Sequence, residues 1–216
     1  GELLPGFKKP FTSFDQMVAQ IKVAMQAAAK KIGRLPRVIV FGALGRCGKG
    51  AIRTVEALGL DIEIAKWDLA ETKRGGPFIE CLEHDIMVNC IYLMGKIPPF
   101  ITNDFIKQHN AKRNLSVLVD VSCDFTSPFN PLPVYHQATT LVAPTVRILK
   151  GDSAKSIPDL DVCSIDHLPT LLPVEASNSF SDAMLPYLMK LHHPEKHDIF
   201  CKAEKLFHQR MKEATE

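Results

Sequence analysis

Apolar residues recur at three- and four-residue steps from Phe14 through Met17, Val18, Ile21, Met25 and Ala28 to Ile32. That period predicts a helix over 13–32, with Ser13 and Gln16 spaced as a capping box and Gly33 as the stop. An unbroken apolar run then predicts a first strand over 37–41, buried on both faces. Helix-like residues from Cys47 to Leu58 end at Gly59, and a second strand over 61–67 ends at Asp68. A polar segment leads through a helical turn near 78–82 to a third strand within "DIMVNCIYL" (85–93). Thr102 or Asn103 can cap a short helix, "LSVLVDVS" (115–122) reads as the next strand, and "DVCSID" (161–166) as the last. Strands alternating with helix-like spacers predict an α/β fold with a Rossmann-like, mostly parallel sheet covered on both faces. The prolines from Pro128 to Pro173 predict turns and a crossover between domains. From Ser177 onward the pattern is helical, and Ile199, Phe200, Ala203, Leu206, Phe207 and Met211 form one apolar stripe. Such a stripe either packs on its own domain or completes a second one.

Composition narrows the classes of function. The 216 residues are 46% apolar and 23% charged with a net charge of +2, which points away from a nucleic-acid partner. No apolar stretch reaches the length of a membrane span, and "GELLP" lacks the features of a signal peptide, so a cytoplasmic protein without a membrane partner is expected. The six cysteines are scattered with no C-x-x-C pair, which predicts reduced thiols and no metal site. "HHPEKH" (192–197) is broken by Pro194 and reads as a solvated loop.

"VIVFGALGRCGKG" (38–50) carries the candidate chemistry. An apolar strand runs into four glycines within nine positions. A kinase-type P-loop would need a glycine where Ala43 stands and a hydroxyl residue where Gly50 stands, so that design fails at both ends. The pattern present is G-x-x-G-x-x-G, from Gly42, Gly45 and Gly48. Three glycines can supply a tight turn, a close approach of pyrophosphate to backbone, and close helix–strand packing. The following helix N-terminus offers N–H groups and partial positive charge. Asp68 lies 26 residues after Gly42, at a strand end where an acid holds ribose hydroxyls and repels a 2′-phosphate. NAD is therefore favoured over NADP, with Lys73 and Arg74 as the feature that argues the other way.

"GALGRCGKGA" (42–51), "KWDLAETKRGGPF" (66–78), "NCIYLMGKIPPF" (89–100), "VDVSCD" (119–124) and "CSIDHLPTLLPVEAS" (163–177) occur in that order. Together they resemble fungal-type, NAD-dependent, L-lysine-forming saccharopine dehydrogenase, in its C-terminal part only. The resemblance implies oxidation of saccharopine by NAD at its secondary amine and hydrolysis of the imine to lysine and 2-oxoglutarate, the last step of the α-aminoadipate route. It implies two Rossmann-like domains around a cleft, in an enzyme that is a monomer when complete. Residues 1–170 would be the NAD-binding domain, and residues 171–216 would be helices of the partner domain, whose N-terminal half is absent here.

Carried over by motif, Gly42, Gly45 and Arg46 would meet the pyrophosphate, Asp68 the adenosine ribose, and Thr72 would sit beside it. Tyr92 and Val121 would line the adenine and nicotinamide ends, and Ile165, Asp166, His167 and Leu168 would flank the nicotinamide. The family's lysine–histidine acid–base pair has no matching motif in this chain. No catalytic residue is therefore assigned, the chain alone is expected to be inactive, and His167 is the one candidate proton carrier. Cys47 and Cys90 are expected near one another if the strand bearing Cys90 lies next to the first strand, and a disulfide between them would impede NAD binding. Two other readings stay open: an inactive NAD-binding or regulatory module, and the lysine–ketoglutarate reductase half of a bifunctional lysine-degrading enzyme.

Overall fold

The computed structural model describes residues 9–215. The chain divides into two compact units, Gly1–Leu171 and Leu172–Glu216. The first opens with helix α1 (Phe14–Ile32). The Ser13 hydroxyl caps it by accepting from the Gln16 N–H at 3.2 Å. The Gln16 side chain reaches back one residue further than a capping box requires, accepting from Thr12 N–H at 2.7 Å. Gly33 ends the helix at φ 75°, a left-handed conformation that glycine adopts without a Cβ clash.

Six short strands follow: β1 (Val38–Phe41), β2 (Ile64–Trp67), β3 (Ile86–Asn89), β4 (Val117–Asp120), β5 (Val146–Leu149) and β6 (Leu160–Cys163). They form one sheet in the order β2-β1-β3-β4-β6-β5, parallel except for the β5–β6 pair. The link from β2 to β3 holds only two short helices, α3 (Leu69–Thr72) and α4 (Ile79–Glu83), and no strand. β3 is therefore a direct neighbour of β1, as expected for the strand bearing Cys90. α5 (Asn103–His109) starts at Thr102, whose hydroxyl accepts from Phe105 N–H at 3.1 Å.

All four residues of β1 are buried, because both faces of the sheet are covered. Ile39 and Phe41 face one cluster, with Phe78, Leu82, Met87, Phe100, Leu118 and Leu160. Val38 and Val40 face the other, with Ala43 of the following loop and Ile52 of α2 (Arg46–Ala57). Phe41 is the hub of an aromatic group: its ring centroid lies 4.8 Å from Phe100, 5.3 Å from Trp67 and 6.1 Å from Phe78. This packing anchors the two strand ends from which the candidate site is built.

β5 is an element the hydrophobic pattern does not predict. It is four residues long, follows Pro144 and carries Arg147 mid-strand, so neither alternation nor an apolar run marks it. The last parallel strand also stops earlier than its sequence suggests, at Cys163 rather than Asp166. The second unit consists chiefly of α6 (Pro173–Leu188), which begins four residues before the helical pattern becomes evident, and α7 (Asp198–Thr215). Neither has a buried residue; Phe180, Leu185 and Leu188 on α6, and Ile199, Leu206, Phe207 and Met211 on α7, are exposed.

Candidate functional site

The chain leaves β1 for β2 on one side and returns to β3 on the other. That reversal opens a crevice beyond the carboxyl ends of β1 and β3, where open α/β sheets bind ligands. The β1–α2 loop lines it. Gly42 has φ 78°, and a Cβ there would lie 3.1 Å from Ile91 Cγ1 and 3.2 Å from the Cys90 backbone. Its N–H and that of Ala43 donate to the Trp67 carbonyl at 2.9 and 3.0 Å, tying the loop to the end of β2. A Cβ on Gly48 would lie 2.1 Å from the Gly42 carbonyl oxygen, so α2 reaches its position only because position 48 has no side chain. Gly45 caps α2 without a side-chain hydrogen bond, which leaves the leading N–H groups of the helix open to a ligand.

Asp68 already has partners. One carboxylate oxygen accepts from Leu44 N–H at 3.0 Å, and the other from Leu69 N–H at 2.9 Å as the N-cap of α3. Its own N–H donates to Glu71 at 2.7 Å, and the Thr72 hydroxyl donates to its carbonyl at 2.9 Å. The acid at the end of β2 thus holds the glycine loop in place before any ligand arrives. Beside it lies a cavity of about 320 Å³ with Thr72, Ile91, Leu93, Pro98 and Phe100 among its walls. That volume and its apolar lining suit a planar heterocycle.

The ends of β3, β4 and β6 are held differently. Asn89 and Asp120 face one another in register and are fully buried. The Asp120 carboxylate accepts from Asn89 Nδ2 at 2.9 Å, Ser122 Oγ at 2.6 Å, Ser122 N–H at 3.1 Å and Tyr135 Oη at 2.5 Å. Ser164 Oγ donates to Tyr135 Oη at 3.1 Å and brings in β6. Burial, reinforced by the bond to Asp120, pushes the Tyr135 hydroxyl far above its usual pKa, so it stays a donor. Cys123, at φ 52°, closes the turn with its thiol 3.2 Å from the Asp120 carbonyl. Among the described residues, no group of three or more His, Cys, Asp or Glu is arranged to hold a metal ion. No helix among them is long and apolar enough to cross a membrane.

The chain is 45% identical over 213 residues to a saccharopine dehydrogenase (NAD(+), L-lysine-forming) of Emericella nidulans, a match covering 98% of this chain and 56% of that protein. It is 47% identical over 207 residues to the enzyme of that name from Yarrowia lipolytica, covering 95% and 54%. This chain is a homologue of the fungal saccharopine dehydrogenases. The Candida albicans protein of the same name is 44% identical over 209 residues, or 96% of this chain and 53% of its own. The chain spans about half the length of these curated dehydrogenases. No protein-family model matches it.

The residues singled out by the saccharopine dehydrogenase motifs follow the carboxyl ends of the parallel strands, in separate groups. Gly42, Gly45, Arg46, Asp68 and Thr72 gather at the β1 and β2 ends. Val121 follows β4, its N–H donating to the Asn89 carbonyl at 2.9 Å. Ile165 is buried, whereas Asp166 and His167 are exposed and lie beyond the end of β6, in the loop before a short helical turn, Leu168–Leu171. Tyr92 is 70% exposed, and its neighbours Ile91 and Leu93 form the cavity wall instead. Both cysteines of the expected pair are free thiols. Cys47 is exposed; burial pushes the Cys90 thiol up to about 12, with the neighbouring charges of Cys47 and Asp120 adding to it. Sequence reasoning missed Ile91, Leu93, Pro98, Asn89, Tyr135 and Ser164. A polar residue closing each of two apolar strands, Asn89 and Asp120, is the one signal the sequence offers for this network.

Proposed function

We propose that the unit ending at Leu171 is the NAD-binding domain of a saccharopine dehydrogenase, and that α6 and α7 belong to the second domain of that enzyme. The observation that carries this reading is the seating of α2 against the Gly42 carbonyl at Gly48, beside an acid at the end of β2. The exposed apolar residues of α6 and α7 support the assignment of the second unit. Bound NAD supplies the hydride acceptor for oxidising the secondary amine of saccharopine, whose imine then yields lysine and 2-oxoglutarate on hydrolysis.

The chain's own residues bind and orient. The open N–H groups at the start of α2 face the pyrophosphate, with Gly45 and Arg46 beside it. Asp68 accepts from the ribose hydroxyls, and Thr72 stands one turn away. The cavity bounded by Ile91 and Leu93 takes the adenine. Val121, Ile165, Asp166, His167 and Leu168 flank the nicotinamide end. Free cysteines throughout fit a reducing compartment such as the cytoplasm.

Fluorescence titration with NADH tests the binding role: saturable binding, tighter than for NADPH, is expected, and its absence refutes the assignment. An assay with lysine, 2-oxoglutarate and NADH should show no turnover from these 216 residues. Clear turnover would place a proton carrier in this chain, and His167→Gln would then be the first variant to make. We also propose that Cys47 and Cys90 form a disulfide when a mild oxidant such as diamide accepts their two hydrogens, and that this bond impedes NADH binding. Cys47 is the second residue of α2, and the β1–α2 loop rests against the Cys90 backbone. Peptide mass mapping after oxidation should show the linked pair and a matching loss of titratable NADH sites; two free thiols would reject it.

A further inference from the structure

We propose that Glu80 is a specificity-determining residue: by holding Arg74 against Trp67 and Phe78, it keeps a second cation out of the adenosine cavity and so disfavours a 2′-phosphorylated dinucleotide. This rests on the reading of the crevice as a dinucleotide site.

The segment that leaves β2 carries two adjacent cations, Lys73 and Arg74, five and six residues after Asp68. Such cations commonly recognise a 2′-phosphate, and arginine does so best through its planar fork of donors. The structure separates the two. Thr72, Lys73 and Gly75 line the cavity beside Asp68, but Arg74 does not. Its guanidinium carbon lies 5.2 Å over the Trp67 ring and 5.1 Å over the Phe78 ring. Its Nη2 donates to Glu80 Oε1 at 2.5 Å. Trp67 and Phe78 are themselves fixed, Trp67 by Phe41 and Phe78 by burial in the core. The platform under the guanidinium is therefore rigid, and Glu80 supplies the directional tie.

That tie resists exchange. The Glu80 side chain is 27% exposed, and its second oxygen is buried without a hydrogen-bond partner. Burial works to raise its pKa, but the bond from Arg74, a backbone hydrogen bond and the nearby charges of Arg74 and His84 outweigh it and leave the group an anion. If Arg74 swung toward a phosphate, a partly buried carboxylate would lose its cation. Lys73 remains at the cavity, but a flexible, strongly hydrated ammonium beside Asp68 offsets one carboxylate and little more. Two acids thus share the discrimination: Asp68 acts directly at the ribose, and Glu80 acts by restraining Arg74.

NADH and NADPH differ only in the 2′-phosphate, so the ratio of their affinities separates selectivity from any general loosening of the site. Titration of wild type, Glu80→Gln, Arg74→Met and the double variant gives that ratio. Glu80→Gln should raise affinity for NADPH relative to NADH by about fivefold, the size of one exposed charge contact. Affinity for NADH should stay as in wild type. The double variant should cancel the gain, and Arg74→Met alone should leave the ratio unchanged, because Arg74 does not serve the cavity in wild type. An unchanged ratio in Glu80→Gln overturns the proposal, as does a gain that survives loss of Arg74. If Glu80→Gln does not fold, the single Arg74→Met variant decides: a severalfold loss of NADPH relative to NADH would show that Arg74 already reaches the phosphate. Wild type that binds neither dinucleotide overturns the cofactor reading as well; wild type that binds NADH with no shift in ratio overturns only the role of Glu80.

Discussion

The two sides of the crevice are built on opposite principles. At the β1 and β2 ends, position is set by missing side chains: α2 reaches the Gly42 carbonyl because Gly48 has no Cβ, and one half-buried carboxylate, Asp68, pins the loop. At the β3, β4 and β6 ends, position is set by a closed set of polar side chains around the buried Asp120. The first side keeps donors open for a ligand; the second has already spent its donors on itself. Binding strength should therefore reside mainly on the first side and folding stability mainly on the second.

Three substitutions can break that division. Asp120→Ala removes the acceptor shared by Asn89, Ser122 and Tyr135 and should lower unfolding free energy by about 3 kcal/mol in a denaturant titration. If stability held while NADH binding vanished, the second side would be a ligand site after all. Gly48→Ala forces α2 away from the loop. It should cost roughly 1–3 kcal/mol of stability and a larger fraction of NADH affinity, read by thermal unfolding and titration on one preparation. Asp68→Asn keeps the shape but weakens the tie to Leu44 and the ribose contact proposed for this acid. About a tenfold loss in NADH affinity, or ~1.4 kcal/mol, is expected with less than that in stability.

The same contrast explains what could be read beforehand. β1, the glycine loop and Asp68 are legible because each signal is local: an apolar run, a glycine spacing, an acid at a strand end. α1 is legible for the same reason, down to its Ser13 cap. The Asp120 network is not, because Tyr135 reaches it from a proline-rich loop and Ser164 from the far side of the sheet, and only the strand order brings them together. Ile91 and Leu93 carry no mark in the sequence because a one-residue alternation decides whether they or Tyr92 face the cavity. Lys73 and Arg74 look equivalent in sequence, and only the rings of Trp67 and Phe78 with Glu80 tell them apart. β5 is not legible because pairing with β6, and not its own composition, makes it a strand.

The strand order also bears on how the protein keeps company with itself. β2 and β5 are the outermost strands, so their outer backbone groups are where another chain could pair. Each is only four residues long and holds one long cation: Lys66, paired with Glu56 at 2.9 Å, and Arg147, paired with Asp161 at 2.9 Å. A neighbouring strand docking at either border would have to bury or displace that charge. Both borders of the sheet are thereby guarded against edge-to-edge growth into fibrils, by two residues that lie outside the glycine loop and the cavity beside Asp68.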